Sequence, residues 1–246
     1  MKIEADYVVI GAGAMGMAFT DEILTSSDAT VALIDAHSAP GGHWNDAYPY
    51  VRLHQPSFFY GVGSVDLGTN RIDQVGWNAG LSELATGHEV CAYFDQVMQR
   101  HFLPSGRVQY LPATTYTDGV ALTEPSGRRF AVKPARALVD ASYMNVKVPS
   151  VTPPGYAVDA DVRLIPPNAL PTAVRPADGY TVIGAGKTAM DAVLWLLARE
   201  VDPDEISWIT PRDSWLLYRE TTQPATALRS VITCSTLPAA IAPMPH

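Results

Sequence analysis

Tyr7-Val8-Val9-Ile10 is an apolar run without polar alternation, the pattern of a strand covered on both faces in a parallel sheet. Glycines interrupt it at once, in Gly11-Ala12-Gly13-Ala14-Met15-Gly16. A helix is predicted from about Met15 to Thr25, followed by a second apolar run, Val31-Ala32-Leu33-Ile34, that ends in Asp35. From Glu89 to Phe102, the residues Val90, Phe94, Val97, Met98 and Phe102 recur at mostly three- and four-residue spacing, which predicts an amphipathic helix. Cys91 and His101 on it read as packing and surface residues. Arg107 to Leu111, Val120 to Thr123 and Phe130 to Lys133 predict short strands, the last two joined by a turn through Glu124-Pro125-Ser126-Gly127, so a small antiparallel excursion is expected.

Seven prolines fall between Pro149 and Pro176, which excludes regular helix and central strand there and marks a connection. The opening plan then returns. Tyr180-Thr181-Val182-Ile183 leads into Gly184-Ala185-Gly186-Lys187-Thr188-Ala189, a helical run to Arg199, and the strand Ile206-Ser207-Trp208-Ile209. The expected fold is α/β: a Rossmann-type domain over residues 1–175, including the proline-rich connection, then a second, incomplete Rossmann-type unit and an irregular tail over 176–246.

The glycines carry the candidate chemistry. Gly11 lets the chain leave the strand sharply, Gly13 lets backbone approach a pyrophosphate, and Gly16 permits close packing of helix on strand. A phosphate then meets unpaired amides at the helix start, from Ala14 and Met15 onward, where the macrodipole also favours negative charge. Asp35 lies at the end of the second strand, at the distance from the glycines where an acid accepts the ribose hydroxyls of an adenosine. Taken alone, Asp35 reads equally well as a solvated strand end; its register with the glycines singles it out.

The second turn has Ala189 where the third glycine would be, and Thr210-Pro211-Arg212 where the acid would be. An acid would repel a 2'-phosphate whereas Arg212 can pair with one, which favours NADP over NAD; a salt bridge to Asp213 is the competing reading of Arg212. Gly186-Lys187-Thr188 copies the end of a P-loop, but the required earlier glycine falls at Thr181, inside the predicted strand.

A chain of 246 residues, 47% hydrophobic and 17% charged, has the apolar content for a globular core, and a net charge of -8 argues against a nucleic-acid partner. Cys91 and Cys234 have no metal-ligand or C-x-x-C spacing, so neither a zinc site nor a disulfide framework is expected. Acids precede the first apolar run, which suits no signal peptide, and no apolar stretch approaches the roughly 20 residues that span a bilayer. The expectation is a cytoplasmic protein acting on a small-molecule substrate; its oligomeric state is left open.

After Asp35 and Ala36 the chain reads Pro40-Gly41-Gly42-His43-Trp44, then Tyr48-Pro49 and Arg52-Leu53-His54-Gln55-Pro56-Ser57. This segment, with the paired glycine turns, resembles the flavin-containing monooxygenase group of two-dinucleotide flavoproteins over most of residues 5 to 220. The resemblance implies FAD at the first turn, NADP at the second, and an oxidoreductase in which hydride passes from NADPH to flavin and then to oxygen and an organic substrate. A reductase or oxidase without oxygen transfer, and a non-catalytic nucleotide-binding fragment, are the alternatives. It also implies that Gly41 and Gly42 bring backbone near the flavin's ribityl or phosphate portion and that Trp44, with Tyr48 to His54 and thus Arg52, forms walls near the ring; core packing for Trp44 or Tyr48 and a surface or capping role for His43 or His54 are the competing readings.

Asp140-Ala141-Ser142 occupies the place of the family's A-T-G return. The F-x-G-x-x-x-H-x-x-x-W signature is absent, as is a reductase's close cysteine pair. The tail from Thr221 to His246 does not resemble the family's long return segment, so the chain reads as a shortened relative. No side-chain nucleophile or base is required, and no catalytic residue is assigned.

Overall fold

The computed structural model describes residues 2–142, 152, 154–173, 179–212 and 215–224. Residues 225–246, which hold most of the predicted irregular tail and Cys234, lie outside them, as do Asp213 and Pro149, Pro153 and Pro176 of the connection.

The chain forms two compact units, each discontinuous in sequence, where the sequence reading placed a single division at residue 175. One comprises 1–47, 57–69 and 88–146; the other comprises 48–56, 70–87 and 147–246.

In the first unit, β1 (Lys2–Ile3), β2 (Tyr7–Ile10), helix α1 (Ala14–Ser26) and β3 (Val31–Ile34) open the chain. Helix α2 (Gly87–Val97) continues into a broader π-helical turn, Met98–Phe102, and together they cover the helix that the apolar spacing predicts from Glu89 to Phe102. Val90, Phe94, Val97, Met98 and Phe102 are all fully buried. Strands β4 (Val108–Leu111), β5 (Thr114–Thr117), β6 (Val120–Thr123), β7 (Arg128–Val132) and β8 (Ala137–Asp140) follow.

Two sheets result. One has the order β4-β3-β2-β8 and is wholly parallel, with Val8 beside Ala32 and Leu138. The central strands need apolar residues on both faces, which is why β3 is buried along its whole length. The other has the order β1-β7-β6-β5; β5, β6 and β7 form the predicted antiparallel excursion, and β1 joins it in parallel with β7. Ile3, Val8, Ala32, Ile34, Leu111, Ala121 and Val132 fill a single cluster from both sheets. The 57–69 loop is tied to this unit by Asp21, which accepts from Ser64 N at 2.9 Å, and by Tyr93 Oη, which accepts from Val62 N at 2.8 Å.

In the second unit, β9 (Tyr180–Ile183), helix α3 (Lys187–Ala198) and β10 (Ile206–Ile209) form a βαβ unit with the two strands parallel. Leu170, Ala192 and Leu196 centre its core, with Tyr50, Ile165, Tyr180, Val182, Trp195, Val201 and Ile206 packed around them. Among the described residues no helix is long and apolar enough to cross a membrane.

Candidate nucleotide-binding turns

In the first unit Gly11 takes a left-handed φ of 103°, a conformation that favours glycine, and its amide donates to Ile34 O at 2.7 Å. Gly13 caps α1, whose first internal bond runs from Met17 N to Gly13 O at 2.9 Å. The amides of Ala14, Met15 and Gly16 precede that bond and point out of the helix start, the arrangement that receives an anion. Gly16 is closest to necessity: a Cβ there would stand 1.8 Å from Gly11 O and 3.3 Å from Ala141 Cβ. The third glycine therefore lets α1 lie directly on the turn.

The glycine pair after Asp35 closes over this turn. Gly41 and Gly42 have φ of 122° and 56°; Gly41 N donates to Ala12 O at 2.8 Å, and a Cβ on Gly42 would meet Gly13 Cα at 2.9 Å. Two glycine turns thus meet backbone to backbone at the start of α1. Asp140-Ala141-Ser142 borders the same place: Ala141 N donates to Ile10 O at 2.9 Å, and its carbonyl lies 3.3 Å from where a Gly11 Cβ would be. Ser142 donates to Asp140 Oδ1 through its amide and its hydroxyl, and these bonds hold the Asp140 carboxyl below its ordinary pKa.

Asp35 is nearly inaccessible, and much of its hydrogen-bonding capacity is already used. Its Oδ2 accepts from Ala12 N at 2.5 Å, and Oδ1 accepts from His37 N at 2.7 Å and pairs with His37 Nδ1 at 2.9 Å. The other ring nitrogen, His37 Nε2, lies 2.8 Å from Asp46 Oδ2. Burial opposes a proton on His37, but the bonds to Asp46 and Asp35 outweigh it and raise the pKa above the ordinary value. An Asp-His-Asp relay therefore runs from the buried strand end to half-exposed Asp46. Sequence reading identified Asp35 and passed over His37 and Asp46, although the D-x-H spacing is visible.

Ala36 is exposed beside this relay. Trp44 is half-buried, donates to Tyr60 Oη at 2.6 Å, and stacks on His43 at 5.5 Å between ring centroids. Arg52 belongs to the second unit, where it pairs across an antiparallel bridge with Thr86.

The second turn follows the first with altered spacing. Gly184 has φ of 134°, its amide donates to Ile209 O at 2.9 Å, and its carbonyl accepts from Trp208 Nε1 at 2.7 Å. Ala189 stands at the third position, and its Cβ lies 3.5 Å from where a Gly184 Cβ would be, an ordinary contact. Among the described residues a Cβ on Gly186 would meet nothing within 4 Å, so the start of α3 is open on that side. Thr181 lies within β9, so Gly186-Lys187-Thr188 ends a strand-turn-helix junction and no P-loop precedes it. Arg212 is exposed three residues beyond β10.

Lys187 is engaged. Its ammonium pairs with Asp191 Oδ2, one helical turn on, and lies 3.4 Å from Tyr48 Oη. Tyr48 Oη donates to the same Asp191 oxygen at 2.8 Å, and burial followed by the Asp191 bond pushes its phenol well above the ordinary range. Tyr48 packs on Tyr50 at 4.8 Å, Tyr50 on Trp195 at 5.5 Å, and the Arg199 guanidinium sits over Trp195 at 5.2 Å. Positions 187, 191 and 195 form one stripe of α3 that holds Tyr48 and Tyr50, and Arg199 at the helix's C-cap covers Trp195. The contacts of Asp191 with Tyr48 and of Trp195 with Tyr50 join residues far apart in the chain and leave no local signal, whereas the Lys187–Asp191 spacing of one helical turn is visible in the sequence and was passed over.

Comparison with known proteins agrees with this architecture. No family model matches the chain. Uncharacterized proteins of Mycobacterium tuberculosis and Mycobacterium bovis are 54% identical over 222 residues, which cover 90% of this chain and 41% of theirs. The chain thus spans about two-fifths of the length of these relatives. Among solved structures, a double mutant of a flavin monooxygenase from Stenotrophomonas maltophilia superposes with a TM-score of 0.57 at 20% identity, covering 95% of this chain and 64% of that one. A flavin-containing monooxygenase from the same organism gives 0.54 at 18% identity, covering 93% and 64%. A bacillithiol disulfide reductase of Staphylococcus aureus gives 0.53 at 13% identity, covering 95% and 64%. The chain has the α/β fold of these flavoproteins.

Proposed function

We propose that the chain is the dinucleotide-binding part of an FAD- and NADPH-dependent oxidoreductase of monooxygenase type, acting on a small organic substrate. The observation that carries this reading is the backbone contact between Gly13 and Gly42, which leaves a side-chain-free cradle at the start of α1. FAD is the assignment for this turn and NADP for the second, where Gly186 opens onto free space and Arg212 follows β10. The flavin neighbours share the fold, and their monooxygenase class is extended here to this chain.

The residues fit a dinucleotide's phosphates better than its ribose. The α1 amides and the Gly41-Gly42 backbone suit a pyrophosphate, whereas Asp35 already binds Ala12 and His37. A ribose must therefore share Asp35's remaining capacity. When bound, the flavin would accept hydride from NADPH and reduce oxygen; the protein's part is to orient both nucleotides and exclude water. The division of labour is tested by equilibrium binding to paired variants. Gly42→Val should weaken FAD binding by more than tenfold and leave NADPH unchanged, and Gly186→Val should do the reverse. Equal losses of both ligands in either variant would contradict it.

A further inference from the structure

The second glycine turn carries a lysine at the first position of its helix, yet that lysine is not free to meet an anion. The Lys187 ammonium is paired with Asp191 on the next turn of α3 and lies 3.4 Å from the Tyr48 hydroxyl, while that hydroxyl donates to the same Asp191 oxygen. All three side chains are at least partly shielded, with Asp191 19% and Lys187 31% exposed, so the pair is felt more strongly than one in open water. Open space begins at Gly186, one residue before Lys187. The cation that follows this opening in sequence is thus already paired.

We propose that Asp191 is a specificity-determining residue of the second turn: it holds Lys187 in a neutral pair, so that a pyridine dinucleotide binds only by drawing the ammonium away from Asp191 and Tyr48. This inference rests on the assignment of that turn to a pyridine dinucleotide. A ligand with a weak or single phosphate does not repay the loss of the pair, whereas the clustered phosphates of NADPH do, and the turn discriminates accordingly. Tyr48 is a positioning residue. By donating to Asp191 it satisfies part of the carboxylate and lowers the cost of releasing Lys187.

The test is NADPH titration by calorimetry on the full chain as wild type, Asp191→Asn, Lys187→Gln and the double variant, with circular dichroism confirming the fold. Asp191→Asn should bind NADPH roughly 5- to 10-fold more tightly, the release of one part-shielded ion pair. In the Lys187→Gln background the same change should alter affinity by less than about twofold. Tyr48→Phe, which keeps every charge but removes the donor to Asp191, should weaken binding by roughly two- to threefold and gives an independent reading if Asp191→Asn folds poorly. Unchanged or weaker binding by a folded Asp191→Asn chain would overturn the proposal. So would an equal gain in the Lys187→Gln background, which would show that Asp191 acts by simple repulsion. Absence of NADPH binding by all variants and wild type would remove the dinucleotide assignment itself, and the inference with it.

Discussion

Substituting Gly16 by alanine is the sharpest perturbation of the first turn. The added Cβ would stand 1.8 Å from Gly11 O, a backbone atom of a turn pinned through Gly11 N to Ile34 O at 2.7 Å. Ordinary contact begins near 3.5 Å, so helix and turn must part by roughly 1.5 Å. Helix α1 resists this because Met17 and Thr20 on it are fully buried. Overpacking of this kind costs up to about 3 kcal/mol, against which alanine's better helix propensity returns about 1 kcal/mol. The net loss is about 2 kcal/mol, equivalent to a fall of roughly 4–8 °C in Tm for a chain of this size. Thermal melts followed by circular dichroism measure it, with Gly186→Ala as control. A Cβ at Gly186 meets nothing within 4 Å, so that variant should lose no more than about 1 kcal/mol, the range of an N-cap change. A Gly16→Ala chain that melts with the wild type would refute the packing argument.

Other expectations follow from named contacts. Because His37's folded-state pKa is raised, its stabilisation is complete below its ordinary pKa and is lost as pH rises through the folded value. The urea midpoint of the wild type should therefore fall with rising pH across that window, and the fall should vanish in His37→Gln. Asp35→Ala leaves the fully buried Ala12 amide without its acceptor and should cost about 1–3 kcal/mol in urea unfolding, whereas Asp35→Asn, which keeps an acceptor oxygen, should cost less. Tyr50→Phe removes a buried hydroxyl with no partner among the described residues and should leave stability unchanged or higher, while Tyr48→Phe, which loses the bond to Asp191, should lower it by about 1 kcal/mol.

The elements that the sequence displayed were those whose signal is local. Tyr7–Ile10, Val31–Ile34, Val120–Thr123, Tyr180–Ile183 and Ile206–Ile209 match the predicted runs residue for residue; the first two are shielded along their length, as central parallel strands require, whereas the other three keep exposed positions. Strands with no such signal were invisible. Lys2–Ile3 is too short for a pattern, Thr114–Thr117 is polar and lies in the antiparallel sheet, and Ala137–Asp140 alternates in exposure at a sheet edge. The glycine turns and Asp35 were legible because their spacing is set by backbone geometry. Tyr48 was not, since it reaches Lys187 and Asp191 from 139 and 143 residues away in the chain, whereas His37 beside Asp35 and Asp191 one helical turn from Lys187 are local pairs that went unread.

The most direct measurement is the absorption spectrum of the purified chain after incubation with FAD and removal of free flavin, followed by anaerobic addition of NADPH. Both turns working together predicts retained flavin bands that bleach when NADPH is added. A chain that retains no flavin, or retains flavin that NADPH leaves oxidised, would contradict the account.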